Sequence, residues 1–225
     1  MEWSKTQLVR SMGAGYDGRA MDESALIQEA KRGDLESFNR LVLHYQSRVY
    51  NLAFRIMGDP AAASDATQEA FISAFRGLKK FRGGSFRAWL LRIATNACYD
   101  ELRRLKRRPS SSLDDLTEKG IGLDVSRSMS SPPSAENPER ESERSELRQA
   151  IERCLQNLPP EFRTVAILVD VQGYDYRETS EVIGKPIGTV KSRVARARER
   201  LRECLKAYRE LFPTGLRLGD EGILK

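Results

Sequence analysis

Apolar positions recur at three- and four-residue steps along most of the chain. Within "GDLESFNRLVLHYQSRVYNLAFRIMGDP", the residues Leu35, Phe38, Leu41, Val42, Tyr45, Val49, Leu52, Ala53 and Ile56 make one broad stripe. Such a stripe predicts a single long helix with one face turned to a core. The run "MDESALIQEAKRGD" ahead of it predicts a shorter helix, capped by Asp22 or Ser24. Gly58-Asp59-Pro60 ends the long helix, and another is expected from about Ala61 to Leu78. "FRGGSF" at 81–86 reads as a loop, and "RAWLLRIATNACYDELRRLKRR" as a third strong helix.

The pattern then lapses. Residues 109–144 hold recurrent serine and proline, no aromatic residue, and eight acids against four bases. A segment of this kind cannot bury enough apolar surface to offset its ordering entropy. It is expected to be a flexible acidic linker. Helices resume near 145 with "ELRQAIERCLQNL", "PPEFRTVAILVDVQG" and "DYRETSEVIG", followed by a long basic helix. The predicted fold is therefore all-α, with two small helical domains at 21–108 and 145–212 joined by the linker 109–144. Residues 1–20, with three glycines and no apolar periodicity, are expected to be a loose extension, with Met21 a candidate natural start. Residues 213–225 form a tail.

Charge sharpens this picture. The 225 residues carry a net charge of +6 and a pI near 9.3, which favours a polyanionic partner. Cys98, Cys154 and Cys204 lie far apart without CxxC spacing, and His44 is the only histidine. No metal is expected, and the cysteines are expected to be unpaired thiols of a reducing cytoplasm. No apolar run approaches the ~20 residues that span a bilayer, and no signal layout opens the chain, so a cytoplasmic protein is expected. No phosphate loop or nucleophile–base pair suggests an enzyme, and no cofactor is expected.

The basic residues concentrate on two helices. "YRETSEVIGKPIGTVKSRVARARERL" has the layout of a helix-turn-helix: a short helix closed by Gly184, Pro186 near the start of the next, then an apolar side of Val190, Val194, Ala197, Leu201 and Leu205. The opposite side carries Lys191, Ser192, Arg196 and Arg200. Alanine and valine serve a membrane-surface helix poorly. Small residues near the N-terminal end, with long donors beside them, suit entry into a major groove of ~12 Å width. The second basic stripe is Arg92, Asn96, Tyr99 and Arg103, behind a loop ringed by Phe75, Phe81, Phe86 and Trp89. Aromatic and basic groups beside such a loop suit unpaired DNA bases, although a core role for the same rings is equally open.

Taken together, "LVLHYQSRVYNLAFRIMGD", "ASDATQEAFISAFRGLKKFRG", "SFRAWLLRIATNACYDELRR", "LPPEFRTVAILVDVQGYDYRE" and "IGTVKSRVARARERL" resemble the sigma factors of the extracytoplasmic-function (ECF) class within the sigma-70 family. The likeness spans nearly all of residues 24–208 and includes the order, spacing and linker of regions 2 and 4.

That resemblance implies a transcription initiation factor that binds core RNA polymerase and promoter DNA. Region 2 would dock on the coiled coil of the largest polymerase subunit through Asp65, Gln68 and Glu69, and region 4 on the flap of the second-largest subunit. The promoter −10 element would be held and melted by Arg82, Gly83, Ser85, Phe86, Trp89, Asn96, Tyr99 and Arg103. The −35 element would be read through Thr189, Lys191, Ser192, Arg193 and Arg196, with Arg163 a candidate phosphate contact. An anti-sigma factor is an implied partner, and a stress or envelope-response regulon an implied target. Ala195, Arg177 and Ser180 depart from common family choices, and Ser180 threatens close helix packing unless its hydroxyl bonds to a carbonyl. Two rivals remain at this point: a stand-alone helix-turn-helix regulator, and an RNA-binding or scaffold protein whose basic helices touch phosphates alone.

Overall fold

The computed structural model describes residues 22–107 and 138–212. The N-terminal extension, most of the predicted linker and the C-terminal tail lie outside the described residues.

The first unit is a bundle of four helices: α1 (Glu23–Arg32), α2 (Leu35–Met57), α3 (Pro60–Gly77) and α4 (Phe86–Arg107). Aspartates start three of them. Asp22 accepts from the Ala25 amide, Asp34 from those of Glu36 and Ser37, and Asp59 from that of Ala62, so orphan donors of each first turn are satisfied. The α2 stripe is buried as its spacing predicts, except Leu35, which is 44% exposed at the first helical position. Ala63, Ala66, Ala70 and Ala74 give α3 a smooth inner face, which lets it lie close between α2 and α4. The Tyr45 hydroxyl donates to the Glu23 carboxylate at 2.9 Å and ties α1 onto α2; burial, then that carboxylate, push its phenol well above the ordinary range.

The second unit comprises α5 (Pro138–Gln156), α6 (Pro160–Ala166) widening into a π-turn over Ile167–Val171, α7 (Tyr176–Ile183) and α8 (Ile187–Lys206). Helix α5 begins inside the stretch read as linker; the Glu and Arg residues that make that stretch polar are also strong helix formers. Asp175 and Glu178 form a reciprocal capping box on α7, and Gly184 closes it at φ 61°. Ser180, the feared misfit, donates its hydroxyl to the Lys185 carbonyl at 2.6 Å and braces the turn. Val190, Val194 and Ala197 of α8 are buried against Leu155, Leu158, Val165 and Ala166.

The cysteines are not all free thiols. Cys154 on α5 and Cys204 on α8 are joined as a disulfide, fifty positions apart in sequence and 5.7 Å apart at Cα. Their separation along the chain hides the pairing, because only the packing of α5 on α8 brings them together. Cys98 stays a free, buried thiol, pushed up to about 12 by burial.

The two units are closed onto each other. Ile167, Leu168 and Val182 of the second are buried in the same apolar cluster as the core of the first. Polar groups then lace the contact. Arg55 pairs with Glu152 at 2.7 Å, Gln156 donates to the Arg55 carbonyl at 2.9 Å, and the Tyr99 hydroxyl donates to Thr164 Oγ1 at 2.9 Å. Arg87 bonds Glu178 while its guanidinium lies 4.9 Å from the Tyr174 ring centre. Two turn glycines admit close approach here: a Cβ on Gly58 would meet the Gln156 amide at 2.7 Å, and one on Gly184 the Arg92 guanidinium at 2.8 Å.

Candidate nucleic-acid interface

The "FRGGSF" loop bounds a cavity of about 380 Å³. Gly83 and Gly84 take φ values of 98° and 87°, which a side chain rarely tolerates, and so turn the loop sharply before α4. The loop is pinned at both ends. Lys31 donates to the Phe81 carbonyl at 2.6 Å, and Ser85 Oγ accepts from the Ala88 amide at 3.1 Å as the cap of α4. Between those pins Arg82, Gly83, Gly84 and Ser85 are exposed.

The aromatic ring around this loop divides by depth. Phe81 and Phe86 are core residues, 7% and 2% exposed, with their ring centres 5.6 Å apart. Trp89 packs across both at 5.1 and 5.4 Å yet stays half-buried, with an edge on the cavity. Phe86 therefore has no free face for a base; its hydrophobic area is spent on Tyr45, Phe81 and Trp89. Lys80 and Gly84, neighbours of Phe81 and Gly83 that the sequence did not single out, also line the cavity, as does Arg92 of the predicted basic stripe. Glu181, from α7 of the second unit, lines it as well. No sequence signal could place that carboxylate beside a loop so distant along the chain.

Farther along α4, Asn96 is exposed and Arg103 pairs with Asp100 at 2.7 Å on the open surface. Tyr99 differs. Its hydroxyl is bonded to Thr164, and burial raises its pKa.

On α8 the named side chains fan out by position. Lys191, Ser192 and Arg196 are exposed, while Thr189 and Arg193 are half-buried. Ser192 donates to the Thr189 carbonyl at 3.1 Å. Farther along the helix Arg198 forks onto Asp170, with its closest approach at 2.6 Å, and that pairing raises its pKa. The Arg200 guanidinium lies 5.0 Å from the Phe162 ring centre. The outward cations in the N-terminal half of α8 are thus Lys191 and Arg196.

Arg163, named as a phosphate contact, is a clamp residue instead. It is 7% exposed. Its guanidinium donates to the carbonyls of Ile56, Gln156 and Leu158 and to Gln156 Oε1, and burial lowers its pKa. Four acceptors drawn from both units leave no donor directed at solvent in this arrangement.

On α3, Asp65 and Glu69 are exposed and Gln68 half-buried, with Ser73 donating to Glu69 at 3.1 Å. Their backing residues Ala70, Phe71 and Ala74 are buried, so the acidic stripe sits on a rigid helix face.

Among the described residues, no group of three or more His, Cys, Asp or Glu side chains is placed to hold a metal, and no helix is long and apolar enough to cross a membrane.

Two family models match this chain: Sigma-70 region 2 over residues 41–108, and Sigma-70, region 4 over residues 148–201. The RNA polymerase sigma-H factor of Pseudomonas aeruginosa is 36% identical over 185 residues, covering 82% of this chain and 94% of that one. The ECF RNA polymerase sigma-E factor of Escherichia coli (strain K12) is 37% identical over 182 residues, covering 80% and 92%. Among solved structures, the sigma factor RpoE of Bartonella quintana, in complex with the anti-sigma factor NepR, is 25% identical with a TM-score of 0.54, covering 76% of this chain and 98% of that one.

Proposed function

The chain belongs to the sigma-70 family, as an ECF RNA polymerase sigma factor, and from that premise we propose a division of labour between its two basic helices. As a sigma factor it binds core RNA polymerase and promoter DNA and acts in transcription initiation; it supplies recognition while the polymerase supplies the chemistry, in the cytoplasm.

Helix α8 reads the −35 element. Lys191 and Arg196 donate to base edges, Ser192 and Thr189 allow close approach, and Arg193 contacts phosphate. The loop cavity receives an unpaired base of the −10 element. Trp89 offers it a ring edge; Arg82, Gly83 and Ser85 form the rim, and Arg92, Asn96 and Arg103 carry the backbone along α4. Asp65, Gln68 and Glu69 dock on a basic helix of the largest polymerase subunit, and region 4 on the flap. Joining two weak DNA modules through polymerase raises their effective concentration, so neither needs high affinity alone.

The observation that carries this reading is the pairing of an exposed Lys191–Arg196 face with an open loop cavity, each in the segment matched by its own family region. The closed arrangement is read as a resting form. Tyr99 must leave Thr164, and Glu181 the cavity, before DNA can enter. By analogy with the Bartonella quintana protein, an anti-sigma factor binds and restrains the chain, and by likeness to the sigma-E factors a stress or envelope response is its target.

The test is transcription in vitro with core polymerase on genomic DNA, with start sites mapped. New sequence-specific starts that appear only with this chain are expected; their absence overturns the proposal.

A further inference from the structure

We propose that Cys154 and Cys204 are a reversible redox site whose bridge fastens the recognition helix to α5 and thereby holds the two units closed. Its effect on transcription rests on the function proposed above; its thiol chemistry does not.

Helix α5 touches both α2 of the first unit and α8 of the second. Glu152 and Gln156, four residues apart, share a face, and that face grips Arg55 through an ion pair and a hydrogen bond to its carbonyl. Cys154 lies between them in sequence and so projects from the opposite side, where it meets Cys204 in the last turns of α8. One helix therefore meets the first unit on one side and the DNA-reading helix on the other. With the bridge made, α8, α5 and the Arg55 grip move as one body, and the polar contacts of the closed form must break together. With the bridge open, α8 and α5 can part and those contacts can yield singly.

The two sulfurs differ in access. Cys154 is fully buried and Cys204 half-buried, so exchange begins at Cys204. On oxidation, the Cys204 thiolate attacks a low-molecular-weight disulfide, forms a mixed disulfide and releases one thiol. The Cys154 thiolate then displaces the second thiol from Cys204, which completes the bridge; both cysteines have lost a proton, and the reagent has taken up two electrons. Reduction reverses the order: an external thiolate attacks Cys204 and expels Cys154 as thiolate, which picks up a proton. A second external thiolate then attacks the reagent sulfur of the mixed disulfide, releases Cys204 to be protonated in turn, and leaves as the reagent's disulfide. Cys98 stays out of this chemistry because it is buried on α4 with its thiol pushed up to about 12.

The experiment uses the full chain, reduced with dithiothreitol or treated with glutathione disulfide. Thiols are counted by alkylation under denaturing conditions, and amide hydrogen exchange is followed on α4 and α7. Loss of the Cys154 and Cys204 thiols alone, recovered on reduction, is expected, with exchange at the α4–α7 contact slowed by about fivefold or more in the oxidised form. Cys204→Ser should abolish both changes while keeping the reduced exchange pattern. Unchanged thiol counts, a mixed disulfide that never resolves, or equal exchange in the two forms overturns the proposal. Transcription with core polymerase is then compared, and the oxidised chain is expected to yield about fivefold less than the reduced one, a difference Cys204→Ser removes. Equal or higher yield from the oxidised chain overturns the link to closure. If neither form directs transcription while the exchange results hold, the function proposed above fails and the redox site stands.

Discussion

The hydroxyl of Tyr99, on the helix read as the −10 strand's path, is hydrogen-bonded at 2.9 Å to Thr164, on α6 of the second unit. Thr164 in turn donates to the Pro160 carbonyl at 2.8 Å, so the phenol meets a fixed acceptor. One side chain thus serves the closed contact and faces the surface proposed for DNA.

Tyr99→Phe keeps the ring and deletes only that bond. It should destabilise the closed form by about 1 kcal/mol, the usual net worth of such a bond. Hydrogen exchange of the α6 amides should quicken accordingly. Loss of −10 affinity with unaltered exchange would place the hydroxyl's role on DNA instead.

Arg163 makes a larger prediction. Removing its guanidinium strands acceptors on Ile56, Gln156 and Leu158 inside the contact. Arg163→Met should cost about 2–5 kcal/mol in denaturant unfolding of the full chain. A phosphate contact predicts the reverse pattern: unchanged unfolding and weaker DNA binding.

Lys191→Ala and Arg196→Ala should each cost about 1–3 kcal/mol if the side chain reads a base edge, with the loss concentrated at the upstream promoter element. Footprinting of holoenzyme on promoters altered only at −35 checks this. Equal weakening on every sequence reduces both residues to phosphate contacts.

Acid should weaken the first bundle through its caps. Hydrogen bonds from the Ser37 side chain and backbone hold the Asp34 carboxyl below its ordinary value of 3.8, and the Ala25 amide, then the Ser24 hydroxyl, do the same for Asp22. A depressed folded pKa stabilises the fold above the unfolded value and loses that contribution as pH falls through the folded one. Melting temperature should therefore drop below pH 3.8, and Asp34→Asn, which keeps a cap acceptor, should flatten part of that drop.

Much of the molecule was legible before any coordinates. The three-and-four spacing of Phe38 through Ile56 set α2, aspartates and glycines marked the helix ends, and Gly184 with Pro186 gave the turn into α8. Those signals are local, and local signals survive in a sequence. Phe86 was ambiguous for a physical reason: an aromatic residue at the start of an amphipathic helix suits a core and a base equally well until its neighbours are known. Arg163 misled because arginine is so often a surface group; its burial depends on three carbonyl acceptors that no sequence displays. The grips of Glu152 and Gln156 on Arg55 and of Glu178 on Arg87, like the Cys154–Cys204 bridge, join residues whose meeting is set only by how helices stack.

Arg198 alters how the reading helix should be counted. Each phosphate a protein neutralises on duplex DNA releases condensed counterions and adds about 0.9 to the slope of log affinity against log salt. Arg198 is already neutralised by Asp170, across a fork whose closest approach is 2.6 Å. While that fork holds, Arg198 expels no counterion, and Lys206 is likewise paired with Glu203 at 2.9 Å, so salt titration of region 4 should report fewer cations than the basic residues of α8 suggest. Asp170→Asn should steepen the line by about one phosphate's worth.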